Sequence, residues 1–125
     1  MSKYGNIKTT TSDGITHDSR KEANRWCELK LLERAGKIYD LKRQVKYSLI
    51  PEQYIYYERI GKNGRRLKDG KKVLEKECAY IADFVYTDTE TNTVIVEDTK
   101  GKKTKDYIIK RKLMLWIHGI RIKET

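Results

Sequence analysis

Two aspartates and a lysine stand where the surrounding sequence is mainly apolar. Asp83 lies inside residues 80–86, and Asp98 and Lys100 lie near the end of residues 94–100. Aromatic and β-branched residues predict a strand for each run, and the turn-prone residues between them predict an antiparallel hairpin. The chemistry open to these three side chains therefore depends on how the two strands pair.

The register of this hairpin decides how close the two carboxylates come. A loop centred between Glu90 and Thr91 places Asp83 opposite Asp98, with Cβ atoms about 5 Å apart. Two carboxylates at that distance among apolar neighbours repel each other and lose hydration, so we expect a cation between them. Alternation along the second strand places Lys100 on the same face as Asp98. Two aspartates around a divalent metal, with an ammonium beside them, suit hydrolysis of a phosphodiester.

The first helix is predicted to begin at Ser19 and to end before Gly36. Ser19, followed three residues later by Glu22, fits a capping box, and the glycine fits a helix stop. Glu22 has two interpretations. As part of the cap it satisfies a backbone N–H. It also shares a helical stripe with Trp26 and Leu29, which directs it towards the core.

The remaining elements complete an α/β fold. Ile38–Ile50 alternates as a long strand, on which Gln44 is interpreted as an ordinary polar-face residue. Lys105–His118 is predicted to be the second helix, with Gly119 as its stop, and residues 120–123 are predicted to be a short final strand. The predicted order is helix, three strands, helix, strand.

Residues 52–76 are predicted to be a basic insertion in a single domain of residues 1–125. Eight basic and two acidic residues lie between Arg59 and Lys76, after three tyrosines and among three glycines. A mobile basic loop or hairpin could grip phosphates and stack on bases. Alternatively, the tyrosines pack on the core or on a second subunit. The residues predicted to bind nucleic acid, here and after the hairpin, are Arg59, Lys62, Arg65, Arg66, Lys68, Lys102, Lys103 and Lys105.

The overall charge favours a polyanionic partner. The 125 residues carry 28 Lys and Arg against 18 Asp and Glu, for a net charge of +10, and nucleic acid is the usual partner of so basic a domain. No apolar run approaches the ~18 residues of a membrane span. Residues 1–16, predicted to begin as a loose basic arm, lack the apolar segment of a signal peptide. A cytoplasmic protein without a membrane partner is expected.

The cysteines and histidines add no metal site to this prediction. Cys27 and Cys78 are isolated thiols without a histidine at ligand spacing, which argues against zinc. His17 and His118 are expected at the surface or at an edge.

The charged residues of the hairpin also carry a resemblance. Asp83, followed after the hairpin by Asp98-Thr99-Lys100, resembles the PD-(D/E)XK nuclease superfamily, which includes restriction endonucleases and Holliday junction resolvases. Ala82 stands where the superfamily name has proline. The chain is more closely similar to a family of small phage and prophage proteins assigned to that superfamily. The blocks that carry this similarity are residues 19–23, 29–36, 80–86 and 96–101.

The resemblance implies a restriction-endonuclease-like core, a central mixed sheet flanked by helices in the order αβββαβ. It implies a Mg²⁺-dependent endodeoxyribonuclease, with Mn²⁺ able to replace Mg²⁺, whose products carry a 5′-phosphate. The implied metal ligands are Glu22, Asp83, Asp98 and the Thr99 carbonyl, and Lys100 orients the attacking water. Gln44 lies where related nucleases can carry a strand residue near the active site, which is the alternative to an ordinary polar-face residue. If the chain is phage encoded, it acts in the host cell cytoplasm.

The substrate and the class of protein stay open at this point. Branched DNA cut by a homodimer, a nicked duplex and degraded host DNA all fit the resemblance. A non-catalytic nucleic-acid-binding protein that keeps the nuclease fold is one alternative, and a cleavage assay separates it. A structural or partner-binding phage protein, with Asp83, Asp98 and Lys100 as a buried ion cluster, is another. A measurement of metal binding distinguishes this alternative from a nuclease.

Overall fold

The computed structural model describes residues 7–100 and 102–125. The elements are β1 (Thr9–Thr10), β2 (Thr16–His17), α1 (Arg20–Arg34), β3 (Ile38–Ile50), β4 (Gln53–Ile60), β5 (Arg66–Glu75), β6 (Cys78–Asp88), β7 (Val94–Asp98), α2 (Lys105–His118) and β8 (Lys123–Glu124). A mixed four-stranded sheet has the order β3-β6-β7-β8, in which only β8 pairs in parallel. Two further sheets, β1-β2 and β4-β5, are two-stranded. The fold is therefore mixed α/β.

The β6–β7 hairpin has the predicted register. Phe84 pairs with Glu97, and one further step along that register sets Asp83 opposite Asp98. The strand β6 continues to Asp88, beyond its predicted end, because the carboxylate of Asp88 accepts two backbone N–H groups of the loop and closes the turn. A short loop with a closed turn leaves this hairpin little freedom to slip.

Both helices have the predicted bounds. The Ser19 hydroxyl accepts the backbone N–H of Glu22 at 3.0 Å, which caps α1. Gly119 follows α2 with a φ of +67°, a left-handed conformation that glycine adopts without strain. None of the helices in the described residues is long and apolar enough to cross a membrane.

The core is divided between the two faces of the four-stranded sheet. Phe84 packs with Trp26 and Leu29 of α1, whereas its neighbour Val85 packs in the cluster that contains Met114 of α2. Since successive residues of a strand point to opposite faces, each helix covers one face of the sheet. Two of the residues expected to do chemistry lie on the central strands of this sheet, Asp83 in the middle of β6 and Asp98 at the end of β7.

Two predicted segments differ from the structure, and a third has one of the two forms predicted for it. Residues 9–17 form the short β1–β2 hairpin rather than a loose arm, and residues 1–6 of the predicted arm lie outside the described part of the chain. The last strand is Lys123–Glu124, not residues 120–123, because Ile122 is buried in the core before pairing begins. The predicted basic insertion is a hairpin, β4–β5, in a sheet of its own. The restriction-endonuclease-like core stays a prediction.

Candidate functional site

Asp98 ends β7 and is almost completely buried, with 1% of its surface exposed. Its Oδ2 accepts the hydroxyl hydrogen of Tyr80. Among the residues that the structure describes, no donor reaches its Oδ1, which lies 3.4 Å from Nζ of Lys100. Burial, and then the neighbouring carboxyl group of Asp83, raise the pKa of Asp98. Because buried polar atoms are nearly always hydrogen-bonded, this oxygen is a candidate ligand for a cation.

Asp83 is oriented by the residue that follows Asp98. The backbone N–H and the hydroxyl of Thr99 both donate to Oδ2 of Asp83 at 2.9 Å. After burial, the neighbouring carboxyl group of Asp83 is the main cause of the raised pKa of Asp98. The two carboxyl groups are therefore adjacent, as the hairpin register predicts.

Lys100 follows β7 instead of lying in it, so strand alternation does not position its side chain. The ammonium lies 3.4 Å from Oδ1 of Asp98, and the side chain is 30% exposed. It also lies 4.6 Å from the centre of the Tyr107 ring, while the Lys100 carbonyl accepts from Nζ of Lys21 at 3.2 Å. Lys100 is thus held beside the two carboxylates with part of its side chain open to solvent.

Glu22 lies in the first turn of α1 and is 4% exposed. The amide of Gln44 donates to its Oε1 at 3.2 Å, and Nδ1 of His17 is 3.7 Å from the same oxygen. Burial, followed by the charges of Asp83 and Asp18, raises the pKa of Glu22 to about 7. The capping interaction uses its backbone N–H, so the side chain is left to face the other acidic groups.

Gln44 has a larger part in this site than an ordinary polar-face residue. Its neighbours Arg43 and Val45 pair with Phe84 and Ala82, which sets Gln44 opposite Asp83. Its φ is +55°, a left-handed conformation that is uncommon outside glycine and is often found at functional sites.

His17 is buried, with 1% of its surface exposed, and its predicted place at the surface is wrong. The β1–β2 hairpin carries its ring to within 6.0 Å of the Trp26 ring, between ring centres. Burial, and then the charge of Arg43, lower the pKa of His17, so it is neutral beside Glu22. A two-residue strand has no periodicity that would have revealed this burial. His118, in contrast, is exposed, as predicted.

Two of the three predicted carboxylate ligands are arranged to bind a cation. No three His, Cys, Asp or Glu side chains in residues 7–100 and 102–125 form a cluster ready to hold a metal ion, so Glu22 does not join the aspartates as a third carboxylate ligand in this geometry. The adjacent carboxyl groups of Asp83 and Asp98 do fit, since one contributes a buried oxygen without a donor. Mg²⁺ is commonly bound by one or two carboxylates and keeps several waters.

Glu97, the neighbour of Asp98, serves a different purpose. It is fully buried, and its two oxygens accept from Nε and Nη2 of Arg25 at 2.7 and 2.8 Å. The Tyr86 hydroxyl donates to it at 2.7 Å. Glu97 therefore contacts α1, and strand alternation sets its side chain on the opposite face of β7 from that of Asp98.

The basic residues predicted to bind nucleic acid are exposed. Those of β4, β5 and the turn between them lie on the separate hairpin, which the structure does not pack against the site. Lys102, Lys103 and Lys105 lie between Lys100 and the first turn of α2. Lys103 also forms an ion pair with Glu124 at 3.4 Å. The second group therefore adjoins the acidic site.

The chain belongs to a family described as "Protein of unknown function (DUF1064)", whose model matches residues 1–120. That description assigns no activity. No curated protein and no solved structure matches the chain. Membership of the PD-(D/E)XK superfamily therefore stays a prediction from the motif.

Proposed function

We propose that this chain is a metal-dependent nuclease that hydrolyses phosphodiester bonds in DNA. The observation that carries the proposal is the buried Oδ1 of Asp98, which has no hydrogen-bond donor within the described residues. This oxygen lies 3.4 Å from the ammonium of Lys100, and its carboxyl group adjoins that of Asp83. An ion cluster that only stabilised the fold would be a poor use of these groups, since desolvation offsets much of the Coulomb attraction. The geometry favours a site that binds a cation.

The protein's own donors orient both carboxylates. Thr99 holds one oxygen of Asp83, and Tyr80 holds one oxygen of Asp98. Asp83 and Asp98, with the Thr99 carbonyl, are the proposed ligands of Mg²⁺ or Mn²⁺. The metal, when bound, would neutralise phosphate charge and lower the pKa of a bound water. Glu22, which interacts electrostatically with Asp83, is proposed to complete the acidic surroundings of the metal.

Lys100 is proposed to orient the attacking water and to stabilise the negative charge of the pentavalent transition state. Its side chain is 30% exposed, so the ammonium is accessible to a phosphate that approaches from solvent. A positioned charge of this kind acts on the transition state more than on binding.

DNA is the proposed substrate because of the net charge of +10 and the lysines 102, 103 and 105 beside the site. One observation favours a second candidate function. The described residues hold no ready cluster of three metal-binding side chains, which also suits a nucleic-acid-binding protein that keeps the fold without catalysis.

The test compares cleavage of supercoiled plasmid, a four-way junction and a linear duplex in Mg²⁺, Mn²⁺ and EDTA. We expect metal-dependent cleavage that Asp98→Asn abolishes. Glu90→Gln is the matched control, because this carboxylate is exposed in the loop of the same hairpin. Cleavage that survives in Asp98→Asn would overturn the proposed site. Tight DNA binding without cleavage by the unmodified chain would favour the second candidate.

A further inference from the structure

The hairpin of residues 53–75, here called the basic ribbon, stands apart from the rest of the molecule. Its strands β4 and β5 pair only with each other and make no extensive contact with either helix or with the four-stranded sheet. All its residues except Gly61 and Gly70 are exposed. A two-stranded hairpin alone is marginally stable in water, and exposed apolar groups in one place indicate a partner.

The charge of the basic ribbon and its flank indicates which partner. Of the eight basic side chains between Arg59 and Lys76, only Arg66 forms an ion pair within the described residues, with Glu58 and Asp69. The others have no carboxylate partner there. Like charges would repel a second copy of this ribbon, whereas a polyanion would be attracted to it. The charge therefore favours nucleic acid over a second subunit.

One aromatic ring on the basic ribbon is held in an unusual way. Tyr57 pairs with Gly70 across the ribbon, and its ring leans over that glycine. A Cβ added at Gly70 would lie 2.2 Å from Cζ of Tyr57, so the ring fills the space of the missing side chain. Tyr57 is nevertheless 50% exposed. The ring therefore lies against the partner strand, while half of the side chain remains open to solvent.

A ring held in this way can bind a base. Stacking needs an exposed aromatic face that is already fixed, together with cations that hold the backbone phosphates. In a duplex the faces of the bases are covered by their neighbours, so a platform of this kind selects unpaired bases. The alternative ligand of the basic ribbon is duplex DNA, because its major groove, about 12 Å wide, admits a two-stranded ribbon.

We propose that Tyr57, supported by Gly70, is a stacking platform for an unpaired base of single-stranded DNA, and that the basic side chains of the same ribbon bind the flanking phosphates. As a statement about the substrate of the nuclease, this inference rests on the proposed function. Binding itself is measurable in EDTA, where no cleavage occurs. A failure of one proposal is therefore distinguishable from a failure of the other.

The test is fluorescence anisotropy of a labelled oligothymidylate, with a linear duplex of the same length in parallel. Tyr57→Leu should weaken binding to the oligothymidylate about 5- to 100-fold, as expected for one lost base stack. Tyr57→Phe keeps the ring and should bind like the unmodified chain. Gly70→Ala should reproduce the loss, because the added Cβ displaces the ring. Tyr56→Leu, an exposed neighbour, is the matched control and should lose less.

Charge and stacking are separated by a salt series. Tyr57→Leu should leave the salt dependence of binding unchanged, since it removes no cation. Neutralising Arg65 and Lys68 together should reduce the slope by about one to two units. Arg66→Gln should reduce it least, because its guanidinium already pairs with carboxylates.

Several results would overturn the platform. Equal binding by Tyr57→Leu and Tyr57→Phe would show that the ring does not stack on a base. A preference for the duplex that Tyr57→Leu does not alter would assign the ribbon to a groove. A dimer in sedimentation experiments that Tyr57→Leu dissociates would assign it to a subunit interface. Because binding is measured in EDTA, a loss of metal-dependent cleavage alone leaves the platform standing.

Discussion

The ionisation of Glu22 should set the pH dependence of stability when no metal is present. Burial, followed by the charges of Asp83 and Asp18, raises its pKa from 4.5 to about 7. The folded chain therefore binds this proton more tightly than the unfolded chain does. Stability contributed by neutral Glu22 is fully present below a pH of about 4.5 and is lost as the pH rises through about 7. Glu22→Gln keeps a neutral side chain of the same shape at every pH.

The size of the effect follows from the shift. A rise from 4.5 to about 7 is roughly 2.5 pH units, or about 3 kcal/mol in the free energy of unfolding. The glutamine carbonyl can still accept the Gln44 amide, which donates to Glu22 at 3.2 Å. The advantage of Glu22→Gln over the unmodified chain should therefore grow by up to about 3 kcal/mol between about pH 5 and about pH 8. For a domain of this size that is about 10 °C in Tm.

The assay is urea unfolding followed by circular dichroism, in EDTA, across this pH range. The matched control is Glu28→Gln on the same helix, where the side chain is 61% exposed and the change should stay within about 1 kcal/mol at every pH. A difference in the free energy of unfolding between Glu22→Gln and the unmodified chain that stays constant across this pH range would show that Glu22 does not have the raised pKa. A pH-dependent gain of equal size in Glu28→Gln would also refute this prediction.

Three further predictions concern the neighbouring charges. Added Mg²⁺ or Mn²⁺, at a hundred times its Kd, should raise the free energy of unfolding by about 2.7 kcal/mol and raise Tm with it. Asp83→Asn should remove most of this gain. An equal response in the variant would exclude a shared site. Lys100→Ala should slow cleavage about a hundredfold or more. Its DNA affinity in EDTA should be almost unchanged, because Lys100 is one of 28 basic residues. Near-normal cleavage would show that another group orients the water. Glu97→Gln should lower the free energy of unfolding by about 3 kcal/mol, because it leaves Arg25 without its buried partner. Urea unfolding measures this loss. The metal-dependent gain in Tm should persist in the variant.

The part of the site that could be predicted from the sequence is built by one hairpin. Its loop is short, its strands are rich in aromatic and β-branched residues, and a single register sets Asp83 opposite Asp98. A slip by one residue would move every buried side chain to the other face. Local sequence therefore suffices to place the carboxylates, and the capping residue Ser19 likewise suffices to begin the helix that carries Glu22.

The rest depends on contacts between distant segments. His17 is buried because α1 brings Trp26 against it, and nothing in its two-residue strand signals this. Gln44 adopts a φ of +55°, a conformation that no intrinsic preference of glutamine predicts; the tertiary structure imposes it. The separation of the basic ribbon from the core is also tertiary. Residues 54–57 form an apolar run of the kind that is consistent with a buried strand, yet all four side chains are exposed.

Glu97 and Asp98 differ in how far their carboxylates are hydrogen-bonded. They are adjacent on one strand, and both are buried, at 0% and 1% exposed. Glu97 receives donors from Arg25 and Tyr86 on both of its oxygens, as a buried charge that only stabilises a fold requires. Asp98 receives one hydrogen bond, from Tyr80. Its other oxygen has no hydrogen-bond donor in the described part of the chain, and only the partly exposed ammonium of Lys100 lies near it, at 3.4 Å. Since the same strand can satisfy a buried carboxylate completely, the unsatisfied oxygen one residue later is better explained by a bound ligand than by poor packing.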